Sequence, residues 1–161
     1  MQIHILLFFY LLISIDALST PQTVAKVHGW KVVRTTQGKK SSCYMVARPY
    51  KSTGKNRCTK KPYVMISFSQ KHSFVNLCVG TPLKSLSKVN ICPGGKCHTL
   101  YAKKDRAWAA NAKDDKKIID DMKKYKFLQA SPAGKKPPFK DHYSLKGFQK
   151  AYKAMLLCSK P

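Results

Sequence analysis

Residues 88–101 read Lys-Val-Asn-Ile-Cys-Pro-Gly-Gly-Lys-Cys-His-Thr-Leu-Tyr. Two short runs, Lys88 to Cys92 and Lys96 to Tyr101, flank Pro93-Gly94-Gly95, which is turn chemistry, so the stretch predicts a β-hairpin. The same pattern recurs upstream. Tyr63 to Phe68 and Ser73 to Val79 are strand-like runs joined around Gln70-Lys71-His72. Cys43 to Ala47 is another, stopped by Arg48-Pro49, and Trp30 to Arg34 ends before the turn Gln37-Gly38-Lys39-Lys40. Residues 51–61 read as a polar loop, and Thr20 to Val27 as a short leader into the first strand. Strands at this even spacing argue for an antiparallel sandwich or barrel and against a parallel α/β sheet.

Downstream the period changes. Asp114 or Asp115 is placed to cap a helix running through Ile118, Ile119 and Met122, with lysines on its wet side. Further on, Ser144 reads as an N-cap, and Leu145, Phe148, Tyr152 and Met155 fall on one helical face. That stripe reads as core packing. Gly147 weakens the helix slightly. Ser131 to Lys140, with three prolines and Gly134, reads as a loop.

The 161 residues suit one domain. Residues Ile3 to Ile15 form an apolar run, broken only by His4 and Ser14, that is too short to span a bilayer comfortably. Its length suits the hydrophobic region of a secretory signal, and Ala17-Leu18-Ser19 offers small residues for cleavage. The expected organisation is therefore a signal peptide over residues 1–19 and a single domain over 20–161, with no transmembrane span in the mature chain. All six cysteines lie beyond residue 19, and an even count in an exported chain points to disulfides.

The pieces Gly29-Trp30-Lys31-Val32, Cys43-Tyr44-Met45, Arg48-Pro49, Lys61-Pro62-Tyr63-Val64-Met65-Ile66-Ser67, Ala107-Trp108-Ala109 and Asp141-His142-Tyr143-Ser144-Leu145-Lys146-Gly147-Phe148, closing on Cys158, occur in an informative order. In that order the chain resembles the invasion-associated locus B family of exported alphaproteobacterial proteins. The resemblance implies an immunoglobulin-like β-sandwich; with the two helical stretches and the even cysteine count, the expectation is a mainly β fold with a short helix and a C-terminal helix, stapled by disulfide. It further implies export to the periplasm or cell surface, a virulence association with host-cell entry, and neither enzyme activity nor cofactor. The family pattern has an early and a terminal cysteine; Cys58, Cys78, Cys92 and Cys97 depart from it.

Fifteen pairings of six cysteines exist, and sequence does not choose among them. A Cys43–Cys158 bond would tie the last helix to the sandwich. A hairpin would bring Cys92 opposite Cys97, leaving Cys58 with Cys78 by elimination. The rival reading is zinc, through Cys92, Cys97 and His98, but the spacing lacks a second ligand pair. Nucleophilic catalysis has weak support: no G-x-S-x-G elbow occurs, and Asp141 and His142 would point opposite ways on an extended strand. The chain has no Glu, and the six mature Asp are confined to residues 105–141. A hydrolase using His142 or His98 is thus the alternative to a non-enzymatic protein, and no catalytic, metal or cofactor residue is assigned.

Charge is the strongest clue. The chain holds 31 Lys+Arg against 7 Asp+Glu, and residues 20–104 carry 17 basic residues and no acid. That half cannot neutralise itself by ion pairs, and a field of this sign draws in polyanions. The candidate contacts are Lys55, Arg57, Lys60, Lys61, Lys103, Lys104 and Arg106, with Lys39-Lys40 and Lys135-Lys136-Lys140 as further patches. The expected partners are anionic glycans, lipopolysaccharide or lipid headgroups, and a host-cell surface component. A nucleic-acid-binding module is the lesser expectation, because Arg is scarce and the aromatic residues read as core. The competing reading is a solvated cationic surface set by composition alone.

Overall fold

A computed structural model describes residues 20–38, 40–54, 61–69 and 71–160. Ten strands form one antiparallel sheet. They are β1 (Gln22–Val27), β2 (Trp30–Gln37), β3 (Lys40–Ala47), β4 (Lys51–Ser52), β5 (Tyr63–Ser69), β6 (His72–Leu83), β7 (Lys88–Pro93), β8 (His98–Trp108), β9 (Phe127–Pro132) and β10 (Asp141–Ser144). Helix α1 (Ala112–Lys124) follows β8, and α2 (Phe148–Cys158) follows β10.

The order across the sheet is β1-β2-β3-β5-β6-β8-β7-β9-β10-β4. β3 and β4 thus stand seven strand steps apart, about 33 Å if the sheet were flat at 4.7–4.9 Å per step. Only Arg48, Pro49 and Tyr50 separate them in sequence, a reach of at most about 14 Å. The sheet must therefore fold over on itself. The fold falls in β6 and β8: their pairing jumps from Cys78↔Arg106 to Leu83↔Lys104, four residues on one strand against one on the other. Gly80 (φ 73) and Lys104 (φ 58) take left-handed backbone there, which gives a bulge its bend. The two wings so formed share one core, with Trp30, Met45, Ile66 and Leu77 from one side and Val89, Ile91, Leu128 and Tyr143 from the other. The expected sandwich is thus present.

Helix α1 starts one turn earlier than the aspartates suggest. Asn111 is its N-cap, accepting from the Asp114 backbone N–H at 3.0 Å. Asp114 and Asp115 occupy the first turn and Lys123 and Lys124 the last, matching the helix dipole. Ile118, Ile119 and Met122 enter the core as expected. Asp115 is buried and accepts from the Val75 N–H at 2.8 Å, docking α1 on β6.

Helix α2 starts later than its sequence suggests. Ser144 ends β10, and Gly147 is the N-cap at φ 79. A Cβ on Gly147 would lie 2.8 Å from Val27 Cγ1 and 2.6 Å from His28 Cδ2. The glycine is therefore required by the close approach of β1. Phe148 packs edge-on against Trp30, centroids 5.1 Å apart, while the Trp30 indole N–H donates to the Ser144 carbonyl at 3.1 Å. Three further differences concern strands. The leader contains β1, the 51–61 loop contains β4, and the Ser131–Lys140 loop begins inside β9, whose whole span escaped the alternation pattern.

Two disulfides close the structure, Cys43–Cys158 across 115 residues and Cys92–Cys97 across the β7–β8 turn. Cys78 carries a buried thiol, and Cys58 lies outside the described residues. In the chain-entropy account a loop of 115 residues is worth about 4–5 kcal/mol. Cys158→Ser is therefore expected to lower the thermal midpoint by roughly 10 °C. Calorimetry checks this, and an unchanged midpoint would remove the bond from the list of stabilising elements.

Candidate functional site

The described members of the expected cationic site lie on β8 and at the entry to β5. Lys103 and Lys104 are exposed at the bend of β8. Arg106, half-buried, stands in one row with Cys78 of β6 and Tyr63 of β5. Lys61, exposed, lies two residues before Tyr63, and its carbonyl accepts from the Arg48 guanidinium at 3.1 Å. The structure therefore aligns Arg106 with the start of β5, next to Lys61 in the chain. Lys55, Arg57, Lys60 and Lys39 lie outside the described residues. Lys135, Lys136 and Lys140 are exposed beyond β9.

An acid sits inside this patch. Asp105 lies between Lys104 and Arg106, with the Cys78 Sγ 4.0 Å from its Oδ2. Burial raises the Tyr63 phenol above its ordinary range, and the Arg106 charge opposes the rise. Tyr63 thus stays neutral at physiological pH and contributes a half-buried ring beside the guanidinium.

The other acids are occupied by the architecture. Asp141, fully buried, accepts from Ser52 Oγ at 2.6 Å and so pins β4 to β10. Its neighbour His142 faces the other way, 6.3 Å from the Tyr50 ring, as expected of an extended strand. Asp120 takes Lys116 at 2.6 Å and Lys123 at 3.3 Å. Asp121 on α1 is buried and receives Lys96 at 2.9 Å, His98 Nε2 at 2.9 Å and Lys124 at 3.7 Å. Sequence reasoning missed this junction, because Lys96 and His98 are some two dozen residues from Asp121. The only sequence signal was an unusual Asp120-Asp121 pair at the end of a lysine-rich helix.

The His98–Asp121 contact has the form of a base and its orienting carboxylate. Its sequence neighbour Cys97 is bonded to Cys92, so no thiolate is available from that turn. The same bond consumes both sulfurs that the zinc reading requires. Among the described residues no cluster of three or more His, Cys, Asp or Glu is arranged to hold a metal.

Fold and site together define a two-helix β-sandwich, disulfide-stapled, with Asp115, Asp121 and Asp141 buried in internal contacts and Lys61, Lys103 and Lys104 exposed. No protein-family profile and no curated protein matches the chain. Among solved structures, the crystal structure of invasion associated protein B from Bartonella henselae is similar, with a TM-score of 0.58. The match covers 86% of this chain and 96% of that chain at 15% sequence identity. At this identity the likeness is one of fold, and it agrees with the architecture that the sequence resemblance implied. No helix among the described residues is long and apolar enough to cross a membrane.

The contacts with Lys96, above all, and with His98 hold the Asp121 carboxyl below its ordinary range against the effect of its burial. A group depressed on folding contributes stability above its unfolded pKa, near 3.9, and loses it as pH falls through the lower folded value. Asp121→Asn should therefore lower the thermal midpoint by several degrees at pH 7. The gap from the parent protein should narrow below about pH 4. Midpoints measured from pH 7 to pH 2.5 check this; a gap that persists unchanged in acid would point to lost packing instead.

Proposed function

We propose that the protein is an exported, non-enzymatic envelope or host-interaction protein whose cationic surface engages polyanions. Anionic glycans, lipopolysaccharide phosphates and anionic lipid headgroups all carry the required chemistry. The observation that carries this reading is the disposition of charge. Asp115, Asp121 and Asp141 are buried in structural contacts, whereas Lys61, Lys103 and Lys104 are exposed. Exposed lysines that outnumber the carboxylates beside them supply a long-range attraction that is screened beyond about 8–10 Å at physiological salt.

Two disulfides support residence in an oxidising compartment, because cytosolic thiols are kept reduced. The apolar run from Ile3 to Ile15 ahead of Ala17-Leu18-Ser19 supplies the means of export. The similar Bartonella henselae structure is that of an invasion associated protein, which supports an association with host entry for a protein of this fold.

Retention on heparin should fall steeply between low and physiological salt. Lys103→Glu/Lys104→Glu should elute at clearly lower salt than Lys150→Glu/Lys153→Glu, which carries the same charge change on α2. Equal losses would reduce the protein to a uniformly cationic particle without a local site, and no loss in either would reject polyanion binding. Separately, N-terminal sequencing of the protein recovered from the periplasm or medium should read Thr20 first, within a residue or two. An intact Met1 there would reject signal cleavage.

A further inference from the structure

Between the β5–β6 hairpin, α1 and α2 lies an open groove of about 560 Å³, within the usual range of small-molecule sites. Phe68, Ile119, Tyr152 and Leu156 form its apolar lining. The Tyr152 Oη is bonded to Ser73 Oγ at 2.8 Å, and Lys123 Nζ sits over the ring, 4.6 Å from its centroid. Phe148 stacks behind the same ring, centroids 5.9 Å apart, and holds it in place.

The rim has the opposite chemistry. Lys71 and His72 come from the hairpin, and Lys113, Lys116, Asp120 and Lys123 from α1. Four ammonium groups thus face one carboxylate. Asp120 is shared between Lys116 and Lys123, and the Lys116 contact holds it below its ordinary range. Lys71 and Lys113 are exposed and make no ion pair among the described residues. An anion seated between them would gain two ammonium partners while its apolar part covered Phe68 and Leu156.

We propose that this groove binds a fatty acid, with the carboxylate at Lys71 and Lys113 and the alkyl chain along Phe68 and Leu156. The charge selects the headgroup and the lining selects the tail. The volume sets the number of chains. A methylene needs about as much room as a water molecule, roughly 30 Å³, so the groove volume corresponds to about 18 methylenes, room for one dodecyl chain and not for two. The inference is independent of the β8 face and survives the failure of polyanion binding there.

Isothermal titration of the purified protein with dodecanoate, below its micelle concentration, should give saturable binding at one site per chain. Dodecyltrimethylammonium, with the same tail and opposite charge, should bind at least tenfold more weakly, and inorganic phosphate should not compete. Lys71→Glu/Lys113→Glu should lower dodecanoate affinity at least tenfold, whereas Lys103→Glu/Lys104→Glu, equal in charge change, should leave it within about twofold. Leu156→Gln should weaken binding with the charge intact. Each variant is at the surface or half-exposed, and its thermal midpoint checks that the fold is retained. Equal losses in the two charge-reversal variants, equal binding of the cationic amphiphile, competition by phosphate, or no saturable binding would each overturn the proposal.

Discussion

Three residues, Arg48 to Tyr50, join the third strand of the sheet to the tenth, and the rest of the architecture follows from that short span. A flat sheet would place those strands more than twice as far apart as the linker can reach. The folding-over converts one ten-stranded sheet into two facing wings with a shared core, and it puts its bend into β6 and β8. Gly80 is one of two residues that take left-handed backbone there. The Ser52–Asp141 hydrogen bond then fixes the returning edge, with the carboxylate fully buried. Burying an acid costs stability unless its oxygens are satisfied, so this contact also makes the β4–β10 register specific.

The helices close the open sides of that construction by different means. α1 is held by polar contacts at its edges, Asp115 to the Val75 amide and Asp121 to Lys96 and His98, around an apolar centre of Ile118, Ile119 and Met122. α2 is held by packing and a covalent bond: Phe148 on Trp30 at one end and Cys158 on Cys43 at the other. Residues of both helices and of the β5–β6 hairpin line the groove.

This division of labour has an electrostatic consequence. Six aspartates serve 31 basic residues in the chain beyond residue 19, and most of the six are engaged within the fold. Exposed lysines on the strands therefore outnumber the carboxylates beside them. Such a surface repels copies of itself and attracts anions over a Debye length or so.

Local chemistry alone was enough for several features. The Pro93-Gly94-Gly95 turn, the runs around Val46, Ile66 and Leu77, and the apolar stripe of α2 were legible because turn propensity and side-chain period act over a few residues. The Cys92–Cys97 bond was legible for the same reason, being closed by its own hairpin. β1, β9 and the capping residues were not, since neither period nor composition distinguishes them. Asn111 and not an aspartate begins α1, and Gly147 begins α2 because Val27 and His28 crowd it from a strand 120 residues earlier. The Asp121 junction and the α1–α2 groove were equally hidden. Both depend on side chains distant in sequence meeting where a helix packs beside a hairpin of the sheet, and periodicity carries no information about which faces a folded-over sheet brings together. Only the tertiary structure, through the short β3–β4 connection, decided that.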